Sequence, residues 1–223
     1  MKTFTKTLIA TAILTTGAAA QADVSASLGV ASNYLFRGSD LSAGSAAVSG
    51  SIDYAHDLGF YAGIWGSSGD DSYGTEYDVY VGFANETSGG LGYDIGYLDY
   101  NYPNCEAGQA VAVRGSCDFE EVYGGLSYDN VSLYVYNNVD GGFNETYAAL
   151  GVGLGAFDVT LGLFSDDGGH LDVTYSIGDL AFTLSQADGD VFDPDNQEFA
   201  DNGGSFAGDE LQFVVSYSLS FDL

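Results

Sequence analysis

The segment that decides the fold is the last one: Leu211-Gln212-Phe213-Val214-Val215-Ser216-Tyr217-Ser218-Leu219-Ser220-Phe221-Asp222-Leu223. Leu211, Phe213, Val215, Tyr217, Leu219, Phe221 and Leu223 share one parity. Gln212, Val214, Ser216, Ser218, Ser220 and Asp222 share the other. A period of two sets a bulky apolar face against a small or polar one, and the residue pattern is that of a long β-strand.

Working outward from this strand, the same alternation recurs. It predicts about twelve strands, near residues 24–36, 46–56, 60–68, 75–84, 91–101, 119–128, 131–138, 145–154, 157–165, 170–177, 180–187 and 210–222. No segment has the 3.6-residue period of an amphipathic helix. The connections at His56-Asp57-Leu58-Gly59, residues 85–90, Asp129-Asn130, Gly155-Ala156 and Gly178-Asp179 are short. Several of the others are longer and acidic, including residues 101–118 and 188–209. An even strand count with short turns on one rim and longer loops on the other predicts an all-β, transmembrane, antiparallel up-and-down β-barrel.

A soluble sandwich or jelly roll also needs one apolar face per strand. Three features favour the membrane barrel. The non-apolar parity is rich in Gly, Ser and Thr. Aromatic residues gather at strand ends, with Tyr54, Phe60, Phe83, Tyr93, Tyr128, Phe157 and Phe221 near the short turns and Tyr34, Phe36 and Tyr77 near the other rim. The terminal strand, ending on an apolar residue, is similar to the signal by which bacterial outer-membrane barrels engage their assembly machinery.

The N-terminus agrees with export. Lys2 and Lys6 precede the apolar run from Leu8 to Leu14, and Ala20-Gln21-Ala22 forms a small-residue cleavage site, so residues 1–22 read as a signal peptide cut between Ala22 and Asp23. Residues 23–223 are then the outer-membrane β-barrel domain, with outer-membrane lipid as its surroundings. Beyond the leader, Arg37 and Arg114 face 32 acidic residues. That balance excludes nucleic acid as a partner, since binding it requires a basic stripe. It fits either a solvated acidic surface or a surface or channel that attracts cations.

Cys105 and Cys117, the two cysteines, flank a loop-like stretch and are expected to form a disulfide that closes it. The acidic loop containing Asp188, Asp190, Asp193 and Asp195 is a weak candidate for a calcium or magnesium site, and a solvated loop accounts for it more simply. No cofactor motif is present: Gly151-Val152-Gly153-Leu154-Gly155 lacks the strand-loop-helix context of a phosphate loop.

An enzyme is not expected. A twelve-stranded outer-membrane barrel can carry a phospholipase site, but here only His56 and His170 could act as general base. His56 falls at a short turn. His170 falls near the loop rim as a surface residue, with no activated serine beside it.

The parity opposite the apolar face carries Arg37, Asp53, Glu76, Asp78, Asp94, Glu121, Asp158 and Asp172, together with Tyr80 and Tyr123. These are the expected pore-lining residues. Carboxylates on a low-dielectric wall raise the local cation concentration, which points to passive, cation-preferring diffusion of ions or small solutes. Equally, they sit where charge is tolerated, because the lipid face excludes it. The disulfide loop and the acidic loop at 188–209 are expected to narrow or gate the mouth. Tyr34 and Phe36 take the lipid-facing parity at the end of the first strand. Arg37 follows on the inward parity, with Asp53 or Glu76 as its expected carboxylate partner. A non-conducting surface protein, whose acidic loops bind divalent cations or partners, is the alternative.

The stretches Ser32-Asn33-Tyr34-Leu35-Phe36-Arg37-Gly38, Ala47-Val48-Ser49-Gly50-Ser51-Ile52-Asp53-Tyr54 and Gly59-Phe60-Tyr61-Ala62-Gly63-Ile64-Trp65-Gly66-Ser67 resemble the TorF family of outer-membrane porin-like proteins. That family shows a similar aromatic-Arg-Gly element, a following strand ending in an acid, and a Gly-aromatic-Tyr-x-Gly-x-Trp strand. Glu121-Val122-Tyr123-Gly124-Gly125-Leu126-Ser127-Tyr128 also looks like a strand of the family. The resemblance implies a bacterial outer-membrane location and a pore, without a substrate.

Overall fold

The computed structural model describes residues 23–69, 74–104, 118–141, 146–165, 168–187 and 211–223. Alternation builds long strands: β1 (Asp23–Ala31), β4 (Ala47–Ala55), β5 (Phe60–Ser68), β6 (Thr75–Glu86), β7 (Leu91–Asn101), β8 (Phe119–Tyr128) and β9 (Val131–Asp140). They continue with β10 (Thr146–Leu154), β11 (Phe157–Phe164), β12 (Gly169–Ile177), β13 (Leu180–Ala187) and β14 (Gln212–Asp222). Two short strands, β2 (Leu35–Phe36) and β3 (Ser39–Asp40), pair only with each other.

Each long strand pairs antiparallel with its sequence neighbours. β14 then closes on β1, from Ser25 opposite Asp222 to Ala31 opposite Ser216. The result is one closed barrel of twelve strands, with no free sheet edge. The predicted all-β, antiparallel up-and-down barrel of about twelve strands is therefore correct, and most strand limits fall within two residues of the expected ones. Tight turns join strand pairs at one rim, where Gly59, Gly90, Asp129, Gly155 and Gly178 all adopt positive φ. The longer connections lie at the opposite, loop rim.

Apolar side chains point outward. Leu28, Val48, Ile52, Phe60, Ile95 and Leu126 each expose more than half of their surface. Tyr54, Tyr93, Tyr128, Phe157 and Phe221 stand exposed near the turn rim and Tyr77 near the loop rim, as expected of the two aromatic belts. Inside, the two halves of the barrel differ. Toward the loop rim, Glu76, Tyr100, Glu121, His170 and Ser185 are buried. Toward the turn rim, Ser132, Asp158, Thr160, Ser176, Ser216 and Ser218 are only half-buried.

The first strand is the main correction. It was expected to run through Phe36, but it ends at Ala31, and residues 32–46 fold back into the barrel. Tyr34 is accordingly buried inside, beside Leu41, Tyr100, Tyr102 and Phe119, with Phe36 packed against them. Neither ring belongs to the outer aromatic belt. The physical reason is local: Arg37 and Gly38 take successive left-handed conformations, φ 48° and 86°, which reverse the chain.

Glycine opposite tyrosine recurs across the inner wall. Gly63 lies opposite Tyr80, Gly82 opposite Tyr61, Gly96 opposite Tyr123 and Gly125 opposite Tyr134. In each pair the ring lies flat over the neighbouring strand, and a Cβ on the glycine would overlap it. Gly125→Val is therefore expected to lower unfolding stability by about 1–3 kcal/mol through overpacking. Gly124 faces outward, with nothing within 3.9 Å of a Cβ. Gly124→Ala should change little, and urea unfolding of the two variants checks the difference.

Candidate functional site

Residues 33–42 form a segment that crosses the mouth of the barrel. Asp40 holds its return turn: Oδ1 accepts the Ser42 N–H and hydroxyl at 2.9 Å each, and Oδ2 accepts the Gly44 N–H at 2.7 Å. Ser42 Oγ in turn accepts the Tyr34 N–H at 2.7 Å, and Leu41 N donates to the Tyr34 carbonyl at 2.7 Å. These bonds satisfy several of the segment's backbone groups locally, as burial requires.

On one side the segment meets strands β5, β7 and β8. The Tyr34 ring packs on Trp65 with centroids 5.7 Å apart, and Phe36 meets Tyr100 edge-on at 5.9 Å. On the other side it meets β12, β13 and β14. A Cβ on Gly38 would lie 2.7 Å from His170 Cβ and 3.2 Å from Ala187 Cβ, so no larger residue fits without a shift. The Gly38 carbonyl accepts the Gln212 side-chain amide at 2.8 Å.

Arg37 is at the centre. Its two terminal nitrogens donate to the two Glu121 oxygens at 2.8 and 2.7 Å, a bidentate pair whose side chains are only 11% and 6% exposed. Tyr100 adds its hydroxyl to Glu121 Oε2 at 3.1 Å. The guanidinium also lies over the rings of Tyr147, Tyr136 and Phe36, at 4.2, 4.7 and 4.9 Å from their centroids. Burial is the largest single influence and works against the charge, but Glu121, Tyr100 and Tyr147 together outweigh it and the Arg37 pKa is held above the ordinary arginine value. Glu121 sits at a β-bulge: it pairs with Asn138 while Glu120 pairs with Asp140, leaving Val139 as the extra residue. Bulges re-aim neighbouring side chains, and this one sits where Glu121 receives Arg37.

Deeper in the barrel, tyrosine hydroxyls take the place of cations. Tyr80 donates to Asp53, which also accepts Ser51 Oγ at 2.6 Å. Tyr61 donates to Asp94 at 2.7 Å, with Tyr134 more distant at 3.4 Å, and the Tyr61 and Tyr123 hydroxyls are themselves hydrogen-bonded. Tyr102 donates to Glu76 Oε1 at 2.9 Å. A phenol solvates a carboxylate without cancelling its charge. Arg37 is the one Lys or Arg among the described residues.

Of the inward residues expected from parity, Asp53, Glu76, Asp78, Asp94, Glu121 and Asp172 are buried inside the barrel at 9% exposure or less. Asp158 shares their parity near the turn rim and is half-buried. Arg37 is inside as expected, but its partner is Glu121, not Asp53 or Glu76. The chain reversal at Arg37 carries the side chain across the mouth to β8, a contact between residues 84 positions apart that no local pattern encodes.

His170 is a second correction. It is no surface residue: it is 4% exposed, with Nε2 hydrogen-bonded to the Tyr147 hydroxyl at 2.8 Å and Nδ1 3.1 Å from Asp172 Oδ1. Glycines 38 and 162 leave the room that its side chain occupies. His56 lies exposed at its turn, as expected. Tyr100, Tyr102, Tyr147 and Gln212 were missed as members of the site, although each lies on the inward parity of its stretch. Of the signal-cleavage residues, Asp23 opens β1 and Ala22 lies outside the described residues. Arg114, the Cys105–Cys117 pair and the loop with Asp188, Asp190, Asp193 and Asp195 lie outside the described residues.

Removing Arg37 leaves Glu121 charged and buried. Arg37→Ala is expected to cost about 3–5 kcal/mol, whereas Arg37→Met combined with Glu121→Gln should recover most of that loss. Urea unfolding of the two variants checks the difference, and equal losses would show that the pair does not hold the segment.

No curated protein matches the sequence. Residues 15–183 match the model of a family described as "Bacterial protein of unknown function (Gcw_chp)". The matched region holds β1 to β12 and part of β13, with the crossing segment and all the inward acids. The chain belongs to the Gcw_chp family of bacterial proteins.

Proposed function

We propose that this protein is an outer-membrane β-barrel of the TorF porin-like type that passes small cations, with residues 33–42 as a resident constriction. Its apolar outer face supports the membrane setting. A closed ring of exposed Leu, Ile, Val and Phe is far larger than the patches soluble monomers carry. The turn rim then faces the periplasm and the loop rim the outside, and β14 is the strand read by the assembly machinery.

The observation that carries the function is the inner wall itself. Among the described residues, six buried carboxylates, Asp53, Glu76, Asp78, Asp94, Glu121 and Asp172, face a single arginine that is already engaged by one of them. Such a wall draws cations and repels anions, most strongly where water is excluded. The half-buried Ser and Thr side chains toward the turn rim form a vestibule leading to the crossing segment. Passage requires that segment to yield, which makes the Arg37–Glu121 pair the latch.

The second reading is a non-conducting barrel that serves as an anchor. It draws on the tight packing at the mouth, where Ser42 and Ser185 have no exposed surface.

Planar-bilayer recording under a salt gradient tests both. The expected result is reproducible conductance with a cation-sign reversal potential, weakened in Asp53→Asn/Asp94→Asn and with a larger conductance step in Arg37→Ala. An anion-sign reversal would overturn the acidic-lumen mechanism. Absence of conductance in wild type and Arg37→Ala alike would favour the anchor.

A further inference from the structure

Among the buried acids, one adjacent pair keeps a carboxylate oxygen on each member without a donor. Glu76 and Asp78 lie two positions apart on the inner face of β6, 2% and 3% exposed. Tyr34, on the crossing segment and 9% exposed, brings its hydroxyl close enough to interact with both carboxylates. Tyr34 Oη, Glu76 Oε2 and Asp78 Oδ1 are all buried without a hydrogen-bond partner. Glu76 Oε1 has the Tyr102 hydroxyl, as Asp53, Asp94 and Glu121 have hydroxyl or guanidinium donors, but Glu76 Oε2 and Asp78 Oδ1 have none. Arg37 cannot serve this pair, because both its terminal nitrogens are directed at Glu121.

Two adjacent carboxylates sealed from water cannot both stay charged unless something positive joins them. We propose that Glu76, Asp78 and Tyr34 together bind one hard divalent cation of the calcium class, which ties the crossing segment to β6. The donors are all oxygen, two anionic and one neutral, a set that suits alkaline-earth ions and offers no nitrogen or sulfur to zinc or copper. The carboxylates balance the divalent charge. The cation would be the second fastener of the segment, on the β6 side, while Arg37 fastens it to β8. This deepens the reading of residues 33–42 as a constriction but does not depend on conduction, so the test reads binding alone.

Trp65 gives the site its own reporter. It is the one tryptophan of the chain, and it packs against Tyr34 at 5.7 Å between ring centroids. Terbium held by Glu76 and Asp78 should therefore emit on selective tryptophan excitation, and calcium should displace it. The experiment uses the full chain in detergent, with terbium as probe and calcium as competitor. Glu76→Gln/Asp78→Asn is expected to weaken the calcium-displaceable signal at least about tenfold, the scale seen when metal sites lose key groups. Tyr34→Phe, which keeps the ring and removes the oxygen, should weaken it less. Asp99→Asn/Glu120→Gln, which alters a cross-strand pair on the outer face, should leave it intact.

Equal calcium affinity in wild type and Glu76→Gln/Asp78→Asn overturns the proposal. So does a wild-type protein with no calcium-displaceable, tryptophan-excited emission, which would mean that protons alone neutralise the pair. Should the double variant fail to fold, Tyr34→Phe decides: unchanged emission and calcium competition would count against the site. A barrel that binds calcium here yet never conducts keeps this site and loses only the pore.

Discussion

The structure depends on one buried ion pair, Arg37 with Glu121. An arginine in a left-handed conformation costs on the order of 1–2 kcal/mol, and its charge must leave water. Both costs are met by a bidentate carboxylate, a phenol on that carboxylate and aromatic faces around the guanidinium. From this pair the crossing segment follows. Phe36 and Tyr34 are drawn onto Tyr100 and Trp65, and Gly38 is pressed between His170 and Ala187. Without the pair, residues 32–46 would be one more loop on the rim.

Tyrosine is the second organising residue. Closing twelve strands with an apolar exterior leaves the interior as the place for charge, and the chain has almost no basic residues to neutralise it. Phenols resolve this by lying across a cross-strand glycine and reaching a carboxylate with the hydroxyl. Tyr61 over Gly82 toward Asp94, and Tyr80 over Gly63 toward Asp53, are the clearest cases. The ring fills volume that glycine leaves empty, and the hydroxyl solvates an anion without removing its charge. High Gly, high Tyr and an acidic balance in the composition therefore have one common cause.

Most of the barrel was legible because a strand of period two states its own faces. Glu76, Asp78, Asp94 and Glu121 fell on the correct side from parity alone, and β5, β7, β8 and β13 matched their expected limits. What parity cannot do is continue past a chain reversal. Tyr34 and Phe36 were read as a continuation of β1, and the left-handed turn at Arg37 and Gly38 placed them inside instead. Nor does parity say which inward residue meets which across the lumen, since Arg37 and Glu121 come together only through barrel closure. His170 was misread for a related reason: a residue at the start of a strand has no flanking alternation on one side to fix its face.

The central claim is that residues 33–42 occupy the barrel mouth and cover the inward face of β5. Fluorescence quenching of Trp65 tests it most directly, because the chain has no other tryptophan. In barrels reconstituted into lipid, Trp65 is predicted to resist both acrylamide in the aqueous phase and brominated acyl chains in the bilayer. Strong quenching by brominated chains would put Trp65 on the outer face and contradict the assignment of the two faces. Strong quenching by acrylamide would contradict the seated segment.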